Sequence, residues 1–465
     1  MPAASGLELD PSNPDAELSG GGRGLIAVTD ADGLSLLTPS GRSVNRIGAG
    51  FVVTQPTWSR DGAKLAATLS NADGGVSRVA VLDVASGQVS DFEARRPYFF
   101  YSWSHDGTRL AALGPAAGGG TAMDVLDATG APTSPDTVTD SSVFIAWAPD
   151  GRRLLVHAGP RLQLFDDPDQ LGDYTDLGTV GSGFQAASWV PDSNAFLYVA
   201  DVADEAGDGI DSDGIGSDGS SADGDGPATP RLLRRSLADG VVTDLGDATG
   251  LTAMTVHPDG DRVALAFVQS AQRTQPTQPT VPLLPVSAGG RFAAAAAAQP
   301  TAAQATFQRR SEDRLEAVLG ATRPTAAQAS LRGAVEILDL ATGERTEALD
   351  GPGLWVAWSP DGQSLLMATT ASADASALLA WHVWDGSRSL ELVQFTPSAN
   401  FLRNYLPFAD QYDETPRLWS PDSDAITYSA TRAGSGDFAA VSRLDSVGDT
   451  DDLGPGTVSF WSPLP

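Results

Sequence analysis

Trp358-Ser-Pro-Asp-Gly362 decides the fold of this chain, because it recurs, with small changes, seven more times. It stands earlier as Trp58-Ser-Arg-Asp-Gly62, Trp103-Ser-His-Asp-Gly107, Trp147-Ala-Pro-Asp-Gly151, Trp189-Val-Pro-Asp-Ser193 and Val256-His-Pro-Asp-Gly260. It returns as Trp419-Ser-Pro-Asp-Ser423 and, truncated, as Trp461-Ser-Pro463. Each copy reads as the end of a strand, whose Trp ring can fill the gap between neighbouring sheets. A tight turn follows, in which Pro presets φ, Asp bonds back to the backbone and Gly accepts a positive φ. A second strand comes next, as in Lys64-Leu-Ala-Ala-Thr-Leu69, and then a third ending in a turn of the form Asp-x-x-Ser/Thr-Gly, as in Leu338-Asp-Leu-Ala-Thr-Gly343. A fourth strand completes the unit, and four antiparallel strands in about 40–45 residues is the period of a propeller blade.

The spacings test this reading. From Trp58 the motif recurs after 45, 44 and 42 residues, and the last step, from Trp419 to Trp461, is 42. Three steps are long, with excesses of roughly 24, 59 and 18 residues over the repeat. Each coincides with an insertion: an Asp/Gly/Ser tract at 203–229, a low-complexity Ala/Gln/Pro-rich tract at 270–331, and an aromatic stretch at 397–415 taken as a crossing between blades. The first strand-like segment, Leu25-Ile-Ala-Val-Thr29, lacks an inner strand, and the last, Thr457 to Pro463, has nothing after it. Pairing the two closes the ring and removes an open edge. The expectation is therefore all-β: a single β-propeller over 24–463, of eight four-stranded blades, closed by the N- and C-terminal segments in one blade, behind an acidic N-terminal stretch at 1–23. Seven blades would follow only if the Val256 unit were degenerate, but Arg262-Val-Ala-Leu-Ala-Phe-Val268 reads as a sound second strand.

The repeated W-S-P-D-G turn resembles that of the TolB-like propellers, also described as WD40-like, over nearly the whole chain. The resemblance implies a folded interaction platform and brings no catalytic residues with it. Related propellers precede serine-peptidase domains, but this chain has no room for such a domain and no G-x-S-x-G elbow. A propeller fold does not by itself fix an activity.

Charge is the most unusual bulk property. The chain carries 59 acidic residues against 29 basic ones, a formal net charge of -30, and Lys64 is its one lysine. Such a surface repels itself at low ionic strength and is screened in molar salt, so the composition points to a high-salt milieu in the manner of halophilic archaea. A nucleic-acid partner is not expected, since phosphate binding needs clustered cations. With no cysteine there is no disulfide, thiolate nucleophile or Cys-ligated metal. No basic leader and no apolar run of 18 residues is visible, so a cytoplasmic protein without a membrane span, monomeric on its own, is expected.

Candidate sites follow from topology. In a four-stranded blade the first-to-second and third-to-fourth turns share one face, and the second-to-third loops and interblade crossings share the other. All three insertions then project from the second face, where a protein or peptide partner is expected to bind, without enzymatic activity and without a cofactor or metal. The alternative is a hydrolase or lyase acting on a saccharide or peptide in the funnel. Within the aromatic stretch, Phe401, Leu402, Tyr405, Leu406 and Phe408 recur at helical spacing until Pro407 intervenes. Two readings stay open there: a helix plugging the propeller mouth, or a ligand-facing segment in which Phe401, Arg403, Tyr405, Tyr412 and Asp413 make contacts. Tyr101 and Trp355, in or beside inner strands, are candidates at the channel mouth. The Asp/Gly/Ser tract lacks the Asp spacing and closing Glu of a calcium loop. The repeat aspartates (Asp61, Asp106, Asp150 and Asp361) read as turn residues, and the four histidines fall in separate blades.

Overall fold

The computed structural model describes residues 24–71, 77–140, 142–180, 186–203, 228–269, 332–371, 378–406, 417–432, 434 and 436–463. They form eight antiparallel sheets, the blades of one propeller, seven with four strands and one with three. Six of the innermost strands are Val52–Trp58, Phe100–Trp103, Val143–Trp147, Ser188–Trp189, Leu251–Val256 and Trp355–Trp358, in blades two to seven. Blade one takes its inner strand, Val458–Trp461, from the other end of the chain; it pairs antiparallel with Ile26–Asp30, with Ile26 opposite Trp461 and Thr29 opposite Val458. The closure expected from the two unmatched termini is thus present. Burial falls from the axis outward: Phe100–Trp103 and Val458–Trp461 are buried throughout, while Arg345–Asp350, an outermost strand, buries one residue.

The repeated turn explains its own composition. In blade two the Ser59 hydroxyl donates to Asp61 Oδ1 at 2.6 Å and accepts the Lys64 N–H at 2.9 Å, while Asp61 Oδ1 also accepts the Ala63 N–H. Ser104 with Asp106, and Ser359 with Asp361, repeat the arrangement. Ser193 and Ser423 stand where the repeat has Gly and adopt φ of 60° and 61°. Each repays that strained backbone by reaching its neighbour: Ser193 Oγ accepts the Asp150 N–H at 2.8 Å, and Ser423 Oγ the Asp361 N–H at 3.2 Å.

The Trp residues stitch the blades into a ring. Each indole N–H donates to the carbonyl one residue before the motif's first position in the preceding blade: Trp58 to Phe460, Trp103 to Thr57, Trp147 to Ser102, Trp189 to Ala146, Trp358 to Thr255 and Trp419 to Ala357, at 3.0–3.2 Å. The chain of bonds is interrupted where Val256 replaces Trp, and at Trp461, whose buried Nε1 has no acceptor among the described residues. At the first gap His257 takes the place of the repeat Ser. Its Nδ1 accepts the Asp259 N–H at 3.1 Å and its Nε2 lies 2.9 Å from the Gly362 carbonyl of blade seven, so it reinforces the seam that Trp358 already ties and leaves the one with blade five without an indole bond.

Blade eight departs from expectation. Its strands are Ala425–Arg432, Gly436–Arg443 and Thr450–Pro455, and its inner strand is split. Pro397 pairs with Ala430, and Trp419 with Ile426. A step of four residues along the second strand is therefore met by 22 along the inner one, an excess of 18. The aromatic stretch is accordingly not a crossing between blades: the chain has already reached the inner position at Pro397, leaves it, and re-enters at Leu418. The excess was countable from repeat spacing, but where in the strand it was inserted was not.

Against this fold the net charge of -30 has a measurable consequence. The thermal midpoint is expected to rise by about 5 °C or more between ~0.1 M and ~1 M KCl, over which the Debye length falls from about 10 to 3 Å. A midpoint that is flat or falls over that range would show that self-repulsion is not a significant term in the stability.

Candidate functional site

The two faces of the propeller carry different features. Strands at the edges of the two long tracts end at Ala203 and Gln269 and resume at Ala228 and Arg332, so both tracts leave from second-to-third strand connections. The split in blade eight opens on the same face, after Phe395 at the end of the preceding fourth strand. Residues 204–227, 270–331 and 407–416, with the candidates Tyr412 and Asp413, lie outside the described residues.

Helix α1 (Ala399–Asn404) sits at this split, capped by Ser398, whose Oγ accepts the Phe401 N–H. The Ser398 hydroxyl donates to the Thr457 carbonyl and Asn400 Nδ2 to Thr457 Oγ1, so the helix is fastened to the segment that closes the ring. Its apolar side is core. Phe401 stacks on Trp355 with ring centroids 5.6 Å apart and meets Trp381 edge-on, and Tyr405 packs on Phe460 at 5.2 Å. Phe401, Tyr405 and Leu406 are buried, while Arg403 and Asn404 are exposed.

Of the residues picked from sequence, Trp355, Phe401 and Tyr405 are therefore brought together, but as a packed plug. Tyr101 lies apart from them, fully buried between blades two and three, its hydroxyl 2.8 Å from Thr68 Oγ1; burial pushes its phenol well above the ordinary value. Arg403 is the described candidate that faces solvent.

The opposite, turn-bearing face holds a cavity of about 310 Å³ at the axis. Its wall contains the third motif residue of all eight repeats: Arg60, His105, Pro149, Pro191, Pro258, Pro360, Pro421 and Pro463. Trp189, Trp358, Trp419, His257 and Arg417 also line it. Sequence reasoning set the histidines apart because they belong to different blades. His105 and His257 nevertheless line one cavity, since every first-to-second turn points at the axis; that both lie in the motif's turn was the signal that could have shown it.

The repeat aspartates beside this cavity behave as turn residues. Burial pushes Asp106 and Asp361 upward, but bonds from Ser104 and the Thr108 amide and hydroxyl, and from Ser359 and the Gln363 amide, outweigh it and leave both carboxyls below the ordinary value. A general acid needs the reverse shift.

A second charged cluster lies within the blades. Asp124 is fully buried in Thr121–Asp127 and takes the Arg96 guanidinium at 2.8 Å, the Arg95 guanidinium at 3.3 Å, and hydroxyls of Tyr98 and Thr137 at 2.8 and 2.7 Å. Both arginines come from the crossing that precedes blade three, so this network fastens that crossing to the blade's third strand.

No protein-family model matches the sequence, and no curated protein matches it. Solved structures do match. A eukaryotic initiation factor shares 10% identity over 95% of this chain and 98% of its own, with a TM-score of 0.53. Dihydro-heme d1 dehydrogenase NirN shares 11% identity over 95% of this chain and 75% of its own, with a TM-score of 0.51. TolB from Acinetobacter baumannii is also similar, at 14% identity over 89% of this chain and 83% of its own, with a TM-score of 0.37. At identities this low the likeness is one of fold, an eight-bladed β-propeller, and the activity has to be read from the site.

Proposed function

We propose that the chain is a non-enzymatic binding scaffold that engages a protein or peptide through the face carrying the insertions, with Arg403 among its contacts. The observation behind this reading is that both long tracts and the split in blade eight open on one face. There a short helix is held rigidly by its buried side and presents Arg403 and Asn404 outward. Rigid scaffolds with variable loops on one face commonly bind through them, and Arg is enriched where binding energy concentrates. The alternative, a hydrolase or lyase acting on a saccharide or peptide in the funnel, has the axial cavity in its favour. The described residues of its lining include no carboxylate, whereas cleavage of a saccharide commonly employs a pair of them.

The test places a photo-crosslinking residue at position 403 and, as a control, at the exposed Val241, which lies in a third-to-fourth turn on the other face. Irradiated in the source lysate, the protein labelled at 403 is expected to give a discrete adduct that the protein labelled at 241 does not. Equal labelling from both positions, or none from 403, would sink the insertion-face reading.

A further inference from the structure

We propose that the outer edge of blade two takes up an extended, basic segment of a partner protein as a fifth strand. The edge lies on the circumference of the ring and does not rest on the reading of the insertion face. The last strand of a blade presents unpaired N–H and C=O groups, which folded proteins commonly disable with a bulge or by keeping the strand short. Among the described residues, six of the eight blades shift register between their third and fourth strands. Blade three has no shift, but its outer strand, Val138–Asp140, is three residues long. Blade two has neither protection: Val89–Glu93 runs in unbroken register, from Val89 opposite Leu82 to Glu93 opposite Arg78.

The sequence explains the difference. In blades four, five and eight the shift falls on Asp-Leu-Gly, where Asp176, Asp244 and Asp452 accept the N–H of Gly178, Gly246 and Gly454 at 2.8–2.9 Å and the glycine takes a φ of 99–119°. Blade two has Asp91-Phe-Glu93 at the matching place: Asp91 follows the turn glycine Gly87 by four residues, as Asp244 follows Gly240 and Asp452 follows Gly448. Glutamate is strained at such a φ, and Asp91 bonds the Arg78 guanidinium at 2.8 Å instead. The strand therefore stays regular. Leu177 and Leu453, the middle residues of two bulged copies, are buried, whereas Phe92 is exposed, and so is Val89 on the opposite face of the strand. Asp83 N–H donates to the Gln88 carbonyl and Ala94 N–H to the Ser77 carbonyl, so Val89, Asp91 and Glu93 turn their amides outward.

Five residues make an edge about 17 Å long, which suits an added strand and is short for an interface between two folded surfaces. A second copy would set Asp91 and Glu93 against their own counterparts, between chains that each carry a net charge of -30. On the edge itself Arg78 offsets Asp91 and leaves the Glu93 carboxylate in excess, while Arg95 and Arg96, next along the chain, are engaged by Asp124. The complementary occupant alternates basic residues, opposite Asp91 and Glu93, with an apolar one opposite Phe92.

The test titrates the full chain at ~0.15 M salt into a fluorescently labelled peptide, acetyl-Thr-Lys-Val-Lys-Val-Thr-amide, and follows anisotropy. Saturable binding with a Kd below ~1 mM is expected. Methylating the two lysine amide nitrogens, which face the edge, should abolish it, and methylating those of the two valines, which face away, should not. The same peptide with glutamate in place of lysine should bind about tenfold more weakly. The double variant Phe92→Leu/Glu93→Gly, which restores the bulge sequence, should bind about tenfold more weakly at an unchanged thermal midpoint. Val89→Pro removes one outward N–H without touching the blade's own ladder and should act likewise, which keeps the test decisive should the double variant unfold. No saturable binding, indifference to methylation of the lysine amides, equal binding of the glutamate peptide, or full affinity in the folded variants would overturn the proposal. So would self-association of the wild-type chain in sedimentation that the variants abolish, since it would assign the edge to a second copy.

Discussion

Phe401→Ala is expected to lower the free energy of unfolding by about 3–5 kcal/mol, while Arg403→Ala changes it by less than ~0.5 kcal/mol. The two residues share one helix of six residues, so the contrast isolates what the helix does rather than whether it forms. Phe401 lies between Trp355 and Tyr405 with ring centroids 5.6 and 6.3 Å away, and Trp381 meets it from the side. Removing the ring opens a cavity walled by aromatic side chains that are themselves fixed by blades seven and one and cannot collapse into it. The split inner strand of blade eight makes matters worse, because the plug fills the place that a continuous strand would otherwise occupy. Urea midpoints for the two variants check this; similar shifts for both would mean that the helix is not an integral part of the core. The same packing governs how binding at this face can be probed. Deleting residues 398–414 would remove Ser398, Phe401 and Tyr405 along with any contact surface, so loss of a partner would follow from loss of structure. Single changes at Arg403 separate the two.

The blade count, the closure and the roles of the turn aspartates were legible in the sequence because each rests on a local rule repeated around the ring: a Trp, a turn, a strand. What escaped depends on where chain segments meet. Pro397 and Trp419 belong to one broken strand, but only their partners Ala430 and Ile426 reveal it. Tyr101 and Trp355 were expected near the channel because inner strands border it. Side chains alternate along a strand, and these two point between blades, where they are buried to 0% and 1% exposure. Asp124 looks like an ordinary polar residue in a strand until the crossing delivers Arg95 and Arg96 to it. The axial cavity was within reach, since its wall is one motif position read eight times. Arg60 and His105 stood out there only once the turns were seen to converge.

Removing the closing segment, residues 457–463, is expected to have the largest effect of all: loss of the monomeric, cooperatively unfolding state. Val458, Phe460 and Trp461 are all but fully buried, and their burial is worth roughly 5–9 kcal/mol by area. Net stabilities of folded domains are about 5–15 kcal/mol, so the loss reaches the threshold. The segment also holds contacts that no other part of the chain can replace. The Phe460 carbonyl accepts the Trp58 indole, the Thr457 carbonyl and hydroxyl anchor α1, and Ser459 Oγ accepts the Thr427 hydroxyl of blade eight. Without it, Ile26–Asp30 becomes an unpaired apolar edge, which recruits other chains. The truncated chain should therefore elute as oligomers and lose its near-ultraviolet circular dichroism, and a synthetic peptide of residues 455–465 added in excess should restore the monomer. Rescue is feasible because the segment joins the fold through one strand pairing and a set of side-chain contacts. A truncated chain that stays monomeric with the urea midpoint of the full chain would mean that the ring is held by blade-to-blade packing alone. The six Trp bonds around the axis, and not the strand shared between the two ends of the chain, would then be what keeps the propeller closed.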